Sequence, residues 1–496
     1  MTQTNETKEE HIMKKAMVSF ILAILVGATI SVGCSHQMAA TTPGDSSNPD
    51  RATAAFLDSW TLFTSGSYDY NEVDLAPLIC GTNGPGEPGE PVSLYIDDDW
   101  RHLCIAITVL HDTSLHKDRI MFSWLDDIDS PGVGAALATG CFYAGGLEYL
   151  FEGARVTAWY ERDALIIDNS MIHVAVACTA TSKTINPKDK DIAVIHKAWK
   201  QSDFPSGSPS ADSIRYFNDG SSPDDDTYPD WHPDIAVDPE SDDLHVVWTT
   251  WTSYAVNPAR LAYRWYDWSS STWSGQYIMD EVALFPHQKW VPRVAVGDAG
   301  FTGDDAYIVG VAYTEWDDGA LEHIHVGCAY WPEGSDDPDG DATFIHLTYD
   351  IDHDAGLPRL SITPDFCATH YGTLSFTQDL GDGDYQAMEI NNVRNDYWLI
   401  ERSAYYPYGI FPSVACHLID SGDPMASISY FYWDDSNGVY HVTSGRFDPA
   451  DDPPSVTWRD MHGDGEDVLG TLVLDDYQYY LYIETLQASE IVTIDA

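Results

Sequence analysis

Positive charge is scarce in this chain: 24 Lys and Arg stand against 79 Asp and Glu in 496 residues, a formal net charge of -55. Proteins hold nucleic acid and anionic membrane surfaces by neutralising phosphate with Lys and Arg, so neither is expected as a partner of this body. Disulfide chemistry is thin as well. Of the 8 cysteines, Cys104, Cys178 and Cys328 lie in the apolar runs LCIAITV, VAVACTA and VGCAYW, where cysteine behaves as a small buried hydrophobe. Cys80, Cys141, Cys367 and Cys416 follow no framework, and no cysteine spacing matches a zinc site.

One apolar run stands apart, residues 16–33 (AMVSFILAILVGATISVG), behind Lys14 and Lys15. A short apolar stretch between positive charge and small residues reads as an export signal, too brief and badly flanked for a spanning helix. Lys8, Glu9 and Glu10 make Met13 an alternative start. The ending Val32-Gly33-Cys34 resembles a bacterial lipoprotein signal, although Ser31 stands where that family usually has Leu. The resemblance implies lipidation of Cys34. With Ser35 in place of Asp, it also implies display at the cell surface or outer membrane. An ordinary signal peptide with an incidental cysteine, and hence secretion, is the alternative. Residues 35–53 are small, polar and Pro-containing and read as a flexible tether. The expected organisation is therefore a signal over 1–34, a tether over 35–53 and one folded domain over 54–496.

What the chain has in plenty is short alternating strands. Trp231 to Trp251, WHPDIAVDPESDDLHVVWTTW, holds two such runs joined by DPESDD, which reads as a solvated turn. Trp290-Val-Pro-Arg-Val-Ala-Val, Leu357-Pro-Arg-Leu-Ser-Ile and Phe411-Pro-Ser-Val-Ala repeat the opening, with prolines at 233, 292, 358 and 412 spaced 59, 66 and 54 apart. That period, with strands alone, predicts an all-β protein built as a β-propeller. Four strands per blade account for residues 92 to 460, including outer strands over Thr272 to Tyr277 in the third blade and Tyr397 to Ile400 in the fifth. Three strands then remain after residue 470, and the segment around Ser59-Trp60-Thr61 supplies the missing one, closing a ring of seven blades.

PDIAVDPESDDLHVVW followed by LAYRWYDWSSSTW resembles the repeats of sialidase-like propellers of the BNR or Asp-box type, found in secreted bacterial proteins. Asp267 and Trp273 fall where that motif has its Asp and Trp, without its glycine and with one residue more between them. The likeness covers about residues 90 to 460 as a fold. Activity does not follow from fold.

Three constellations could carry chemistry. Arg155, Arg293 and Arg359 take the same first position of their innermost strands, with Asp234 there in another blade. Converging guanidiniums grip a carboxylate or sulfate with paired N–H donors. Sialidases use three arginines in this way, so the resemblance implies a carboxylate site; mutual neutralisation of Arg and Asp around the channel is the alternative. A sialidase also needs Tyr and acidic partners, for which Tyr405, Tyr406, Tyr408, Glu401 and Glu315 are available.

Trp231 and Trp290 precede their strands, while Trp251, Trp316 and Trp433 end second strands, the last two beside Asp-Asp turns. Indoles beside carboxylates suit sugars, and packing between blades is the other use of an indole. Asp337, Asp339 and Asp341 alternate around a Gly turn, as oxygen ligands for a structural calcium would, or as a solvated turn does. His173, His245 and His441 recur within strands and read as structural, and His323 with His325 lacks a third ligand. The sequence thus predicts an exported, lipid-anchored binding module for carbohydrate or another anionic extracellular ligand. A sialidase-like glycoside hydrolase and a protein-interaction scaffold are the alternatives.

Overall fold

The computed structural model describes residues 57–64, 92–96 and, apart from parts of the connections between strands, residues 101–495. Cys34, the signal, the tether, Glu401, Tyr408 and the Tyr397 to Ile400 segment lie outside the described residues. Met1–Ala55 is a unit separate from Phe56–Ala496, and only the second is described further. No helix among the described residues is long and apolar enough to cross a membrane.

The second unit is nearly all β. Its strands gather in chain order into antiparallel sheets over residues 92–143, 149–217, 230–279, 288–346, 355–407 and 409–461. One further sheet unites Leu469–Leu474, Gln478–Glu484 and Ala488–Asp495 with Leu57–Thr64. Each of the first six sheets begins with an inner strand, and consecutive inner strands adjoin from Val92–Ile96 through to Leu469–Leu474. This radial repetition is propeller architecture. Ser59 and Trp60 pair with Val492 and Ile491, so the first described strand lies beside the last.

The sheets are held by apolar residues on both faces, because successive side chains of a strand point opposite ways. Val246 and Trp248 pack with Ala175, Val194 and Phe217 of the preceding sheet. Val247, between them, packs with Val309, Val311 and Trp331 of the following one. Ala312, next to Val311, then joins Leu374 and Phe376 beyond. All of these are essentially inaccessible to water, save a trace at Val194. Burying each large side chain of this kind stabilises the fold by roughly 1.5–3 kcal/mol.

Two local expectations change. The outer strand of the 355–407 sheet is Ser403–Pro407, which pairs Tyr405 with Met388 and Tyr406 with Ala387. Residues 397–400 (YWLI) look the better strand by composition, but the hydrogen-bonded register runs later. Thr272 to Tyr277 is likewise not one strand. Tyr263 to Tyr266 on the neighbour oppose Trp273 to Tyr277, so the outer strand carries one residue more and divides into Thr272–Trp273 and Tyr277–Met279. Ser274 fills the break: its N–H donates to the Trp265 carbonyl at 2.9 Å and its Oγ accepts from the Trp265 N–H at 3.0 Å.

Candidate functional site

The inner strands share a defect that positions their polar residues. In Tyr149–Glu161, Asp230–Val237, Gln288–Asp298, Ala355–Ile362 and Gly409–Leu418 the pairing register slips once. The first residues paired after the slip are Arg155, Asp234, Arg293, Arg359 and Ser413. A bulge bends its strand and re-aims the side chain beside it. His232 (φ 52°) and Val291 (φ 48°) take up the bend in two of the strands.

Arg155 and Arg293 are buried, at 7% and 6% exposure, and Arg359 is half-buried. Arg293 donates from Nη1 to the Pro292 carbonyl at 3.0 Å, which fixes one arm of its fork. Asp234 accepts from the Val294 N–H at 2.8 Å and so ties two inner strands together. Trp231 lies half-buried just before its slip, with the Lys190 ammonium 5.5 Å from its ring centroid. Trp290 is half-buried at the matching point of its own strand. Trp316 and Trp433 are placed only by backbone, paired with Ile324 and Tyr440.

Glu315, one residue before Trp316, is fully buried and has the His346 Nδ1 at 2.8 Å from Oε2. Its register partners are Lys289 and His325, both buried. Gly327 is required there, because a Cβ on it would stand 2.5 Å from Tyr313 Cε2 and 3.0 Å from Glu315 Oε2.

The opposite ends of these strands carry a different chemistry. Trp159, His173 and His196 stack, with centroids 4.7 and 5.3 Å apart in sequence, and Trp268 closes the group edge-on at 5.0 Å from Trp159. His173 Nδ1 lies 3.1 Å from His196 Nε2, and its Nε2 lies 3.0 Å from Glu161 Oε2. Burial holds both imidazoles down at about 4, in spite of the nearby Asp212 charge.

The DPESDD turn is not simply solvated. Asp238 keeps 1% exposure, and its Oδ1 accepts from the Glu240 and Ser241 N–H groups at 2.8 and 3.5 Å. Burial, then the charges of Glu161, Asp238 and Asp243, push Asp242 up to about 6. In the next sheet Glu333 follows the strand Ile324–Pro332, and burial with the Asp238, Asp243, Glu240 and Asp267 charges pushes it up to about 7. His245 is fully buried, with Nδ1 2.8 Å from the Tyr263 hydroxyl. One potential ligand atom each from Asp238, His245 and Glu333 lies within 4.8 Å of the others. Sequence spacing offered no signal for this group, since Glu333 comes 88 residues after His245.

Asp337 precedes a one-turn helix, Pro338–Asp341, that contains Asp339 and Asp341. Ser335 Oγ donates to Asp341 Oδ2 at 2.7 Å, and Asp337 and Asp341 are exposed. Asp267 caps its own turn, accepting from Ser269 Oγ at 2.7 Å and the Ser270 N–H at 2.9 Å, which lowers its pKa. Trp273 packs on Phe217 and Tyr266, with centroids 4.6 and 5.0 Å away.

No protein family matches the chain, and no curated protein does. Among solved structures the arrangement is similar to a Hadza microbial sialidase, at 12% identity over 77% of this chain and 74% of the other, TM-score 0.40. It is similar to an ulvan lyase of polysaccharide lyase family 25 at 10% identity, 83% and 94% coverage and TM-score 0.45. A Penicillium chrysogenum α-L-arabinanase gives 11% identity, 70% and 98% coverage and TM-score 0.36. These likenesses assign no residue of the chain a role.

Proposed function

We infer that the chain is an exported binding protein, a seven-bladed propeller closed by Leu57–Thr64, that takes an anionic glycan at the arginine-bearing ends of its inner strands. The observation that supports this reading is the common register of Arg155, Arg293 and Arg359, each the first paired residue after its bulge. In a body with 24 basic residues, three arginines at one structural position make a local anion preference against a strongly negative background. Their partial burial strengthens each contact with a carboxylate or sulfate, because the local dielectric is low. Trp231 and Trp290, beside the same bulges, supply faces on which a sugar ring stacks.

Ring closure is supported by Leu57–Thr64 lying beside Lys117–Asp126 and Ala136–Tyr143 as well as pairing with Ala488–Asp495. Export, lipidation of Cys34 and the 35–53 tether rest on the sequence. They would hold the body off the membrane. A structural calcium on Asp337, Asp339 and Asp341 completes the reading. Binding is favoured over hydrolysis because Tyr405 and Tyr406, needed as nucleophile candidates, lie in an outer strand.

The test is retention of sialylated, uronate-containing and sulfated glycans by the chain with Cys34→Ser, beside the same chain carrying Arg359→Lys. Lysine keeps the charge and loses the two-pronged geometry. The expected result is selective retention that falls at least about tenfold in the variant with unchanged melting, since a charged hydrogen bond contributes about 1.5–3 kcal/mol. Equal retention by both proteins would sink the reading. New cleavage products that vanish in the variant would replace it with the hydrolase.

A further inference from the structure

We propose that Asp238, His245 and Glu333 form a divalent-cation site, selective for Zn²⁺, that pins the 230–279 sheet to the 288–346 sheet. Asp238 and His245 come from the first hairpin of one sheet, and Glu333 follows the third strand of the next. The site is at the end of the inner strands remote from the arginines: Asp234 begins the register after its bulge, whereas Asp238 follows the last residue of Asp230–Val237.

His245 makes the argument. Its ring is fully buried, Nδ1 meets the Tyr263 hydroxyl at 2.8 Å, and Nε2 has no hydrogen-bond partner among the described residues. A histidine kept for packing alone would leave that nitrogen desolvated for nothing, at a cost of roughly 1–3 kcal/mol. With the Nδ1 proton donated to the Tyr263 oxygen, the Nε2 lone pair is free to bind a metal. A ligand imidazole is commonly oriented by such a second hydrogen bond.

The carboxylates suit the same purpose. The turn N–H groups of Glu240 and Ser241 engage Asp238 Oδ1, which orients the carboxylate and leaves Oδ2 over. The charges acting on Glu333 are those of Asp238, Asp243, Glu240 and Asp267, all negative. A cluster of charges of one sign attracts a cation, and a bound cation is then the largest local charge.

Ligands of a tetrahedral Zn²⁺ at about 2.0–2.2 Å stand roughly 3.4 Å from one another. The 4.8 Å limit on the present set therefore asks for a contraction of about 1.4 Å at most, within the reach of carboxylate rotation. One imidazole with two carboxylates fits a borderline metal, whereas Ca²⁺ takes oxygen ligands alone. The partly exposed Glu333 leaves water access to the fourth position.

The experiment strips the full-length chain carrying Cys34→Ser with a chelator and titrates it with Zn²⁺, Mn²⁺ and Ca²⁺ separately, following heat, bound metal and melting temperature. The expected result is one tightly bound Zn²⁺ and a rise in melting temperature of several degrees. Glu333→Gln should weaken Zn²⁺ at least tenfold and abolish the rise while leaving circular dichroism unchanged. Asp339→Asn, in the separate aspartate turn, should bind Zn²⁺ as the parent does. Co²⁺ in place of Zn²⁺ should show visible absorption of a site with a nitrogen ligand, lost in His245→Phe. Absence of a tight equivalent, undiminished Zn²⁺ binding by Glu333→Gln, or tighter Ca²⁺ binding that Glu333→Gln removes and Asp339→Asn does not would each overturn the proposal. Glycan retention is read on other residues, so its outcome is independent of this one.

Discussion

At the scale of the residue, burial decides which side chains respond to their surroundings. His173 and His196 titrate near 6.5 in an unfolded chain and at about 4 in the fold. The unfolded state therefore binds protons first, so their contribution to stability is complete above pH 6.5 and is lost as pH falls towards 4. Asp242, pushed up to about 6, acts in the opposite sense over the same range. The histidine part is isolated by comparison: the urea midpoint of the parent should fall by the equivalent of a few kcal/mol relative to a His173→Gln, His196→Gln double variant between pH 7 and 4. A constant difference across that range would refute it. Which histidines matter was not legible in the sequence. His173 and His245 occupy similar places in second strands, and partners distant in sequence, His196 and Trp268 for one and Tyr263 and Glu333 for the other, distinguish them.

At the scale of the element, strand periodicity was legible almost throughout, because alternate apolar residues fill both faces of each sheet. Bulges were not, since they depend on which carbonyls the partner strand offers. The repeated prolines marked their neighbourhood: Pro233, Pro292, Pro358 and Pro412 each fall within a register slip, where a missing N–H costs the ladder nothing. Val291 bends its strand with φ at 48°, a conformation that costs an L residue about 1–2 kcal/mol and suits a β-branched one least. Val291→Gly should therefore raise the denaturation midpoint by up to about 1 kcal/mol, although glycine in a regular strand lowers it by roughly 0.5–1 kcal/mol. Val294→Gly, three residues on and buried, is the control expected to destabilise. A loss in both would show that the bend is not strained.

At the scale of the whole molecule, the fold class and the pairing of the N-terminal segment with the last sheet followed from counting strands against an unpaired edge. The cation-binding group did not, because it belongs to the space between two sheets rather than to either. Removal of residues 1–53 should leave melting and oligomeric state unchanged. Removal of 1–64 takes away one of the two strand partners of Ala488–Asp495 and should lower the melting temperature and promote self-association through the bared edge. Equal behaviour of the two truncations would show that the pairing contributes nothing. The same pairing sets an order of events. Leu57 meets Ile494, so a chain emerging from its N-terminus carries one of its first strands unsatisfied until nearly everything else has been made. Loop closure over such a span comes late. Until Leu57–Thr64 joins Ala488–Asp495, the edge of that sheet stays a vacancy into which a second, half-made chain could insert its own strand.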